Sequence, residues 1–139
     1  MTKEVVINIK GLQFSENDSE EVELSTTGTY HCRDGNRYIK YDEVFEDIED
    51  KASNLVTIKG DIVEVRKTGV IESHMVFEKN RKTTSPYQTP YGILHMNIAT
   101  KNLQIKEAQD SLELQIDYIL EVGDQHVADC SLVLLAKSR

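Results

Sequence analysis

The chain has 139 residues, a common size for one domain, and 39% of them are hydrophobic and 29% charged, with two prolines and seven glycines, which excludes a disordered or low-complexity polymer. Its net charge of −8, from 24 acidic against 16 basic residues, repels a phosphate backbone and argues against a nucleic-acid partner. The one dense basic run, Lys79-Asn80-Arg81-Lys82, reads as a solvated hairpin tip.

Alternation with a period of two recurs almost from end to end, and that period puts successive side chains on opposite faces of a sheet. Val5, Ile7 and Ile9 open a first strand, in which Gly11 is expected to shift the parity to Leu12 and Phe14 as a bulge does. In the second strand Val22, Leu24, Thr26, Gly28, Tyr30 and Cys32 share a face, and Gly28 permits a bend or a close approach. Asp34-Gly35 signals a hairpin turn. The third strand, about Asn36 to Phe45, groups Ile39 with Tyr41, and Glu46 to Asn54 is polar enough for one helical turn.

The fourth strand carries Val56 and Ile58, after which Ile62, Val63 and Val65 lose a single parity, as a bulge at Gly60 would cause. Lys67-Thr68-Gly69 is expected to turn into Ile71, Ser73, Met75 and Phe77. Lys79 to Pro90 is polar, and Pro86 and Pro90 cannot donate to a ladder, so a loop or a strand edge is expected there, with a flap over one mouth at Tyr87 to Tyr91. Leu94, Met96 and Ile98 follow, Lys101-Asn102 kinks the chain before Leu103 and Ile105, and Leu112 to Val122 forms one long apolar face. Gly123-Asp124 then turns the chain into Val127 to Ala136.

Short connections without an amphipathic helix favour antiparallel neighbours. The expected fold is therefore all-β, an antiparallel up-and-down meander of eight or nine strands in one domain over residues 1–139, closed into a barrel because closure removes exposed edges. A two-sheet sandwich is the structural alternative.

These residues bear a family resemblance. Thr26-Thr27-Gly28-Thr29-Tyr30, Tyr38-Ile39-Lys40-Tyr41-Asp42-Glu43, Val65-Arg66-Lys67-Thr68-Gly69, Tyr87-Gln88-Thr89-Pro90-Tyr91-Gly92, Thr100-Lys101 and Asp117-Tyr118 stand in an order that resembles the YwiB-like family of uncharacterised bacterial proteins. The resemblance implies a lipocalin-like (calycin-type) β-barrel and brings no activity, cofactor or ligand with it.

No catalytic or metal-binding pattern stands out: GxSxG, P-loop, GxGxxG and HExxH motifs are absent from the sequence, and no catalytic residue, cofactor or metal is expected. His31, His74, His95 and His126 are scattered singly and expected on outer faces. Cys32 and Cys130 form no CxxC pair and are expected to be reduced and structural, and His31 cannot reach Cys32 because neighbours on a strand point to opposite faces. The start of the chain lacks an apolar signal segment, no stretch approaches the ~20 apolar residues of a membrane helix, and a cytoplasmic protein without a membrane partner is expected.

The candidate ligand-binding set is Tyr41, Glu43, Arg66, Tyr87, Thr89, Tyr91, Thr100 and Tyr118, polar groups that can orient a small, partly apolar and acidic molecule inside a barrel. Arg66 has two readings, a bidentate grip on a ligand carboxylate or phosphate and an ion pair with Glu43 or another carboxylate at the barrel end. The functional alternative is a module that engages a partner protein, or a second copy as a homodimer, through its acidic surface and strand edges, with an exposed apolar patch from Ile119, Val76 or Val133 as its sign.

Overall fold

The computed structural model describes residues 2–15, 18–44, 51–69, 72–89, 92–122 and 125–139, with side-chain surroundings left out at residues 2, 13–15, 18, 20, 44 and 87–89. Ten strands follow one another: β1 (Thr2–Ser15), β2 (Asp18–Arg33), β3 (Asn36–Val44), β4 (Lys51–Lys59), β5 (Ile62–Gly69), β6 (Glu72–Glu78), β7 (Lys82–Thr89), β8 (Gly92–Ala108), β9 (Ser111–Val122) and β10 (Gln125–Ser138). Each pairs antiparallel with its neighbour in sequence, and β1 pairs with β10 to close the cylinder. The expected all-β meander barrel is what the chain forms, with ten strands instead of eight or nine.

The two additional strands come from two segments where the sequence signal is misleading. Gly60, with φ of +59°, sits in a two-residue turn between β4 and β5, with Lys59 and Ile62 paired across it, and not in a bulge. A hairpin of that length moves the parity by one residue just as a bulge does. Lys82–Thr89 is strand β7 and not a loop. Its inward positions belong to Thr83 and Ser85, whose hydroxyls donate to the Val76 carbonyl, at 2.6 Å, and to the His74 carbonyl. Backbone pairing between β6 and β7 is confined to Glu72 with Gln88 and Ser73 with Tyr87.

Other expectations are corrected by the register. Gly11 pairs with Leu132 and Val22 in an unbroken ladder, so parity does not shift there. Lys51–Asn54 lies in β4 rather than in a helical turn, and Glu46 to Asp50 falls outside the described residues. Lys67, Thr68 and Gly69 complete β5 instead of turning. The kink at Lys101 is real: the β8–β9 register shifts between Thr100 and Asn102, which returns Leu103 and Ile105 to the inner face. Asp34 and Gly35, with φ of 53° and 83°, make the type I′ hairpin turn that the sequence signals.

Alternate residues of every strand meet inside the barrel. Ile7, Ile39, Val63, Ile98 and Ile116 are fully buried there, and Phe77 lies among them. Burial of each such side chain contributes roughly 1.5–3 kcal/mol, and together they fill the waist of the cylinder. Gly28 shows how tight the wall is, since a Cβ there would run into the Lys40 carbonyl oxygen and lie 2.6 Å from Ile7 Cδ1. Below the waist, β3 pairs with β2 only from Gly28 to Arg33, so the two strands part beyond Tyr41.

Candidate functional site

A filled waist leaves two mouths. The upper mouth carries the turns at 34–35, 60–61 and 109–110, the start of β1 and the end of β10; the lower mouth carries the ends of β1, β3, β5, β7 and β9 and the starts of β2, β4, β6, β8 and β10. The candidate residues read from the sequence fall mostly in the lower half, and the wall divides them.

Tyr41 and Glu43 point inward on β3, and the structure joins them to Asn54 on β4 and Lys67 on β5. Lys67 Nζ stands 2.9 Å from Glu43 Oε1, and Asn54 Nδ2 donates to the same oxygen at 3.5 Å. Burial pushes the Tyr41 phenol pKa well above its ordinary value, and the Glu43 charge adds to that. Arg66 is one residue away and on the other face. It is exposed, stands in register between Leu55 and His74, and makes no hydrogen bond or ion pair among the described residues. Arg66 therefore does not point into the barrel, and the cation that pairs with Glu43 is Lys67.

Thr100 and Tyr118 are register partners on β8 and β9 and both face inward. Thr100 is buried, and its Oγ1 has no hydrogen-bond partner among the described residues. Tyr118 packs edge-on against Phe77 with ring centroids 5.0 Å apart. Burial pushes its phenol pKa up, followed by the charge of the Cys130 thiolate and the hydrogen bond to Cys130. Tyr87 stands in register opposite Ser73 and Leu94, and Thr89 opposite Gly92, both within β7 and not in a flap. Tyr91 lies outside the described residues. Thr100 and Tyr118 thus belong to the packed interior, and no enclosed cavity gathers the set.

A partly open cavity of about 250 Å³ lies at the upper mouth. Val5, Leu112 and Ala136 give it an apolar floor, and Lys3, Tyr30, Cys32, Glu107 and Ser138 line its polar upper part. Beside it Arg37, inward on β3, places Nη2 3.2 Å from Glu107 Oε2. Its Nη1 is buried without a hydrogen-bond partner among the described residues. The Tyr30 hydroxyl lies 3.4 Å from Glu107 Oε1 and 3.1 Å from Cys32 Sγ. Burial, and then that thiol contact, raise the Tyr30 phenol pKa. A larger concavity of about 670 Å³ lies where β2 and β3 part and extends over β4 and β5; Tyr41 and Asn54 line it together with Lys40, Asp42 and Arg66, so it brings the candidates Tyr41 and Arg66 together. It is the more open of the two, so it excludes less water, and the smaller cavity is the better place to bury a ligand.

Sequence reasoning missed this mouth because its polar residues look like ordinary strand ends. A signal was present all the same: Arg37 shares parity with Ile39, and Glu107 with Ile105, so each is a charge on the apolar face of its strand. The cysteines divide: Cys32 is exposed, contrary to the structural role expected of it, while Cys130 is buried. Each histidine is half-buried or exposed, and no group of three or more metal-ligating side chains occurs among the described residues.

A ten-stranded antiparallel meander barrel with a filled waist and a small, partly open cavity near a mouth is the class that these features define. The chain belongs to the family described as "Domain of unknown function (DUF1934)", which matches residues 7–134. It is similar to the "Uncharacterized beta-barrel protein YwiB" of Bacillus subtilis (strain 168), with 24% identity over 121 residues that cover 87% of this chain and 84% of that protein. The crystal structure of the ywiB protein from Bacillus subtilis superposes with a TM-score of 0.89 at 20% identity, covering 99% of this chain and 93% of the other, and confirms the barrel fold.

Proposed function

We propose that the barrel is a small-molecule binder that takes its ligand in the upper cavity. The single observation behind this reading is a partly open cavity of about 250 Å³ with an apolar floor and a polar upper lining. That volume equals roughly eight waters at ~30 Å³ each, which sets the ligand at a small organic molecule. Val5, Leu112 and Ala136 suit an apolar tail. A carboxylate head suits the Lys3 ammonium, the cation that lines the cavity, while Arg37 beside it is held by Glu107.

Two measurements test this. Native mass spectrometry of freshly purified protein is expected to show a co-purified small mass, absent from a Ser138→Trp variant whose indole covers the mouth and retained in Arg66→Ala. Calorimetric titration with hexanoate is expected to give heat that hexylamine does not, and Lys3→Met to remove it. Hexanoate binding that survives Ser138→Trp, or no binding of either probe with no co-purified mass, defeats the proposal.

A further inference from the structure

Strand β2 is 16 residues long, yet β3 pairs with only its last six, Gly28–Arg33. Nearer its start, β2 is held from one side by β1, and no described strand pairs with the opposite edge over Glu21–Thr27. Alternate residues along such an edge direct both N–H and C=O outward, which makes it a template for another extended chain. Exposure agrees: Glu21, Val22, Glu23, Ser25 and Thr27 are all exposed, so both faces of this stretch are wet, and Val22 is an apolar side chain at 59% exposure. Long exposed edges are usually shortened, bulged or protected with lysine or proline. This one has an unbroken register with β1 and neither residue type in Asp18–Thr27.

Its charge selects the occupant. Asp18, Glu20, Glu21 and Glu23 stand in the stretch Asp18–Thr27 without a basic residue. From β1, Lys10 reaches Glu21 at 3.0 Å, and Asn8 donates to Glu23 at 3.4 Å, so a single cation stands against the two described carboxylates. An antiparallel pairing of two copies centred on Val22 would set Glu21 against Glu23 twice and bring together two molecules of net charge −8. A second copy is thereby disfavoured and a basic chain favoured.

We propose that the free edge of β2 over Glu21–Thr27 receives an extended, basic segment of a partner protein as an added antiparallel strand. Main-chain bonds supply the pairing, and Glu21 and Glu23 select lysine or arginine across it. This site is separate from the upper cavity and does not depend on ligand binding there.

The test uses the full chain, isotopically labelled, with a capped short peptide of alternating Lys and Val as the probe and residue-resolved amide exchange as the readout. The peptide is expected to slow exchange over Glu21–Thr27. Its affinity is expected to fall about fivefold when Glu21→Gln and Glu23→Gln are combined, in line with the loss of two cross-strand charge pairs, and to fall as salt is raised on the unaltered protein. The same peptide N-methylated at alternate residues is expected to lose the protection, because it lacks the donors along one edge. No protection at millimolar peptide overturns the proposal, as does equal binding of a Glu-Val peptide or of the N-methylated one. Protection that grows with protein concentration in the absence of peptide overturns it in favour of pairing between copies.

Discussion

Lys67 Nζ and Glu43 Oε1 lie 2.9 Å apart on the inner face of the wall, on β5 and β3, with Asn54 of the intervening strand donating to the same carboxylate oxygen. The two side chains are 22% and 27% exposed, so the pair is neither a surface bridge nor a sealed one. Removing one partner leaves the other charge with less water than it needs. Lys67→Met or Glu43→Gln is expected to cost about 1–2 kcal/mol, below the 3–5 kcal/mol of a fully buried pair. Glu43→Leu combined with Lys67→Met is expected to recover at least half of that loss. Urea unfolding midpoints at constant slope measure all three.

The seam between β6 and β7 is closed by side chains where backbone pairing stops. Thr83 Oγ1 donates to the Val76 carbonyl at 2.6 Å, and Ser85 Oγ donates to the His74 carbonyl. Thr83→Val keeps the shape and leaves that carbonyl unbonded, at an expected cost of about 1–2 kcal/mol. Amide exchange is expected to accelerate in β6 and β7 before it does so in β9 and β10, where the ladder is continuous over the ten residues from Ala128 to Lys137 and their partners. Uniform acceleration across the barrel would show that the seam is not a separate opening unit.

The same two segments explain what the sequence could and could not reveal. Strands β1, β2, β9 and β10 were legible because apolar residues occupy their inner faces, as from Leu112 through Tyr118. β7 was not, because Thr83 and Ser85 take the inner positions and no apolar alternation remains. The turn at Gly60 resembled a bulge because both change parity by one residue. The same ambiguity hid half of the lower cluster: Lys67 was assigned to a turn and Asn54 to a polar connection, so Glu43 had only Arg66 as a visible partner. Two-fold alternation from Val65 does place Lys67 inward and Arg66 outward once β5 is known to reach Gly69. Ile119, Val76 and Val133, expected in an exposed apolar patch, are all half-buried; among the described residues the exposed large hydrophobic ones are Val6, Val22, Ile93, Leu94 and Val127.

Gly28 sits where β2, β1 and β3 come closest. Its Cβ position is occupied by the Lys40 carbonyl and by Ile7 Cδ1, and one of those contacts is backbone that cannot rotate away. Gly28→Ala is expected to destabilise the fold by about 1–3 kcal/mol, the usual range for an added methyl in a packed interior. Thr26→Ala, one inward position earlier on the same strand where β3 no longer pairs, is expected to cost less than half as much. Thermal unfolding of the two variants side by side tests the ordering.

Tyr41 and Tyr118 make the barrel sensitive to base. Burial is the leading cause in both, and it disfavours the phenolate, so each folded-state pKa lies above the ordinary value of 10.0 that the unfolded chain retains. The buried Cys130 thiol is shifted the same way, first by burial and then by the charge of Asp129, from its ordinary 9.0. In each case the folded state holds its proton more tightly than the unfolded one. The stability this contributes is fully present below the unfolded pKa and is lost as pH rises through the interval between unfolded and folded values. Unfolding free energy is therefore expected to be level near neutral pH as far as these groups go, to begin falling near pH 9 through Cys130, and to fall more steeply above pH 10. Tyr118→Phe is expected to lower stability at neutral pH by about 0.5–1.5 kcal/mol, the worth of one hydrogen bond, while flattening the alkaline decline. Tyr41→Phe, whose hydroxyl has no described partner, is expected to flatten the decline with a smaller change at neutral pH. Denaturant titrations of the three proteins across this range decide it, and parallel curves above pH 10 would show that neither phenol is responsible for the alkaline loss.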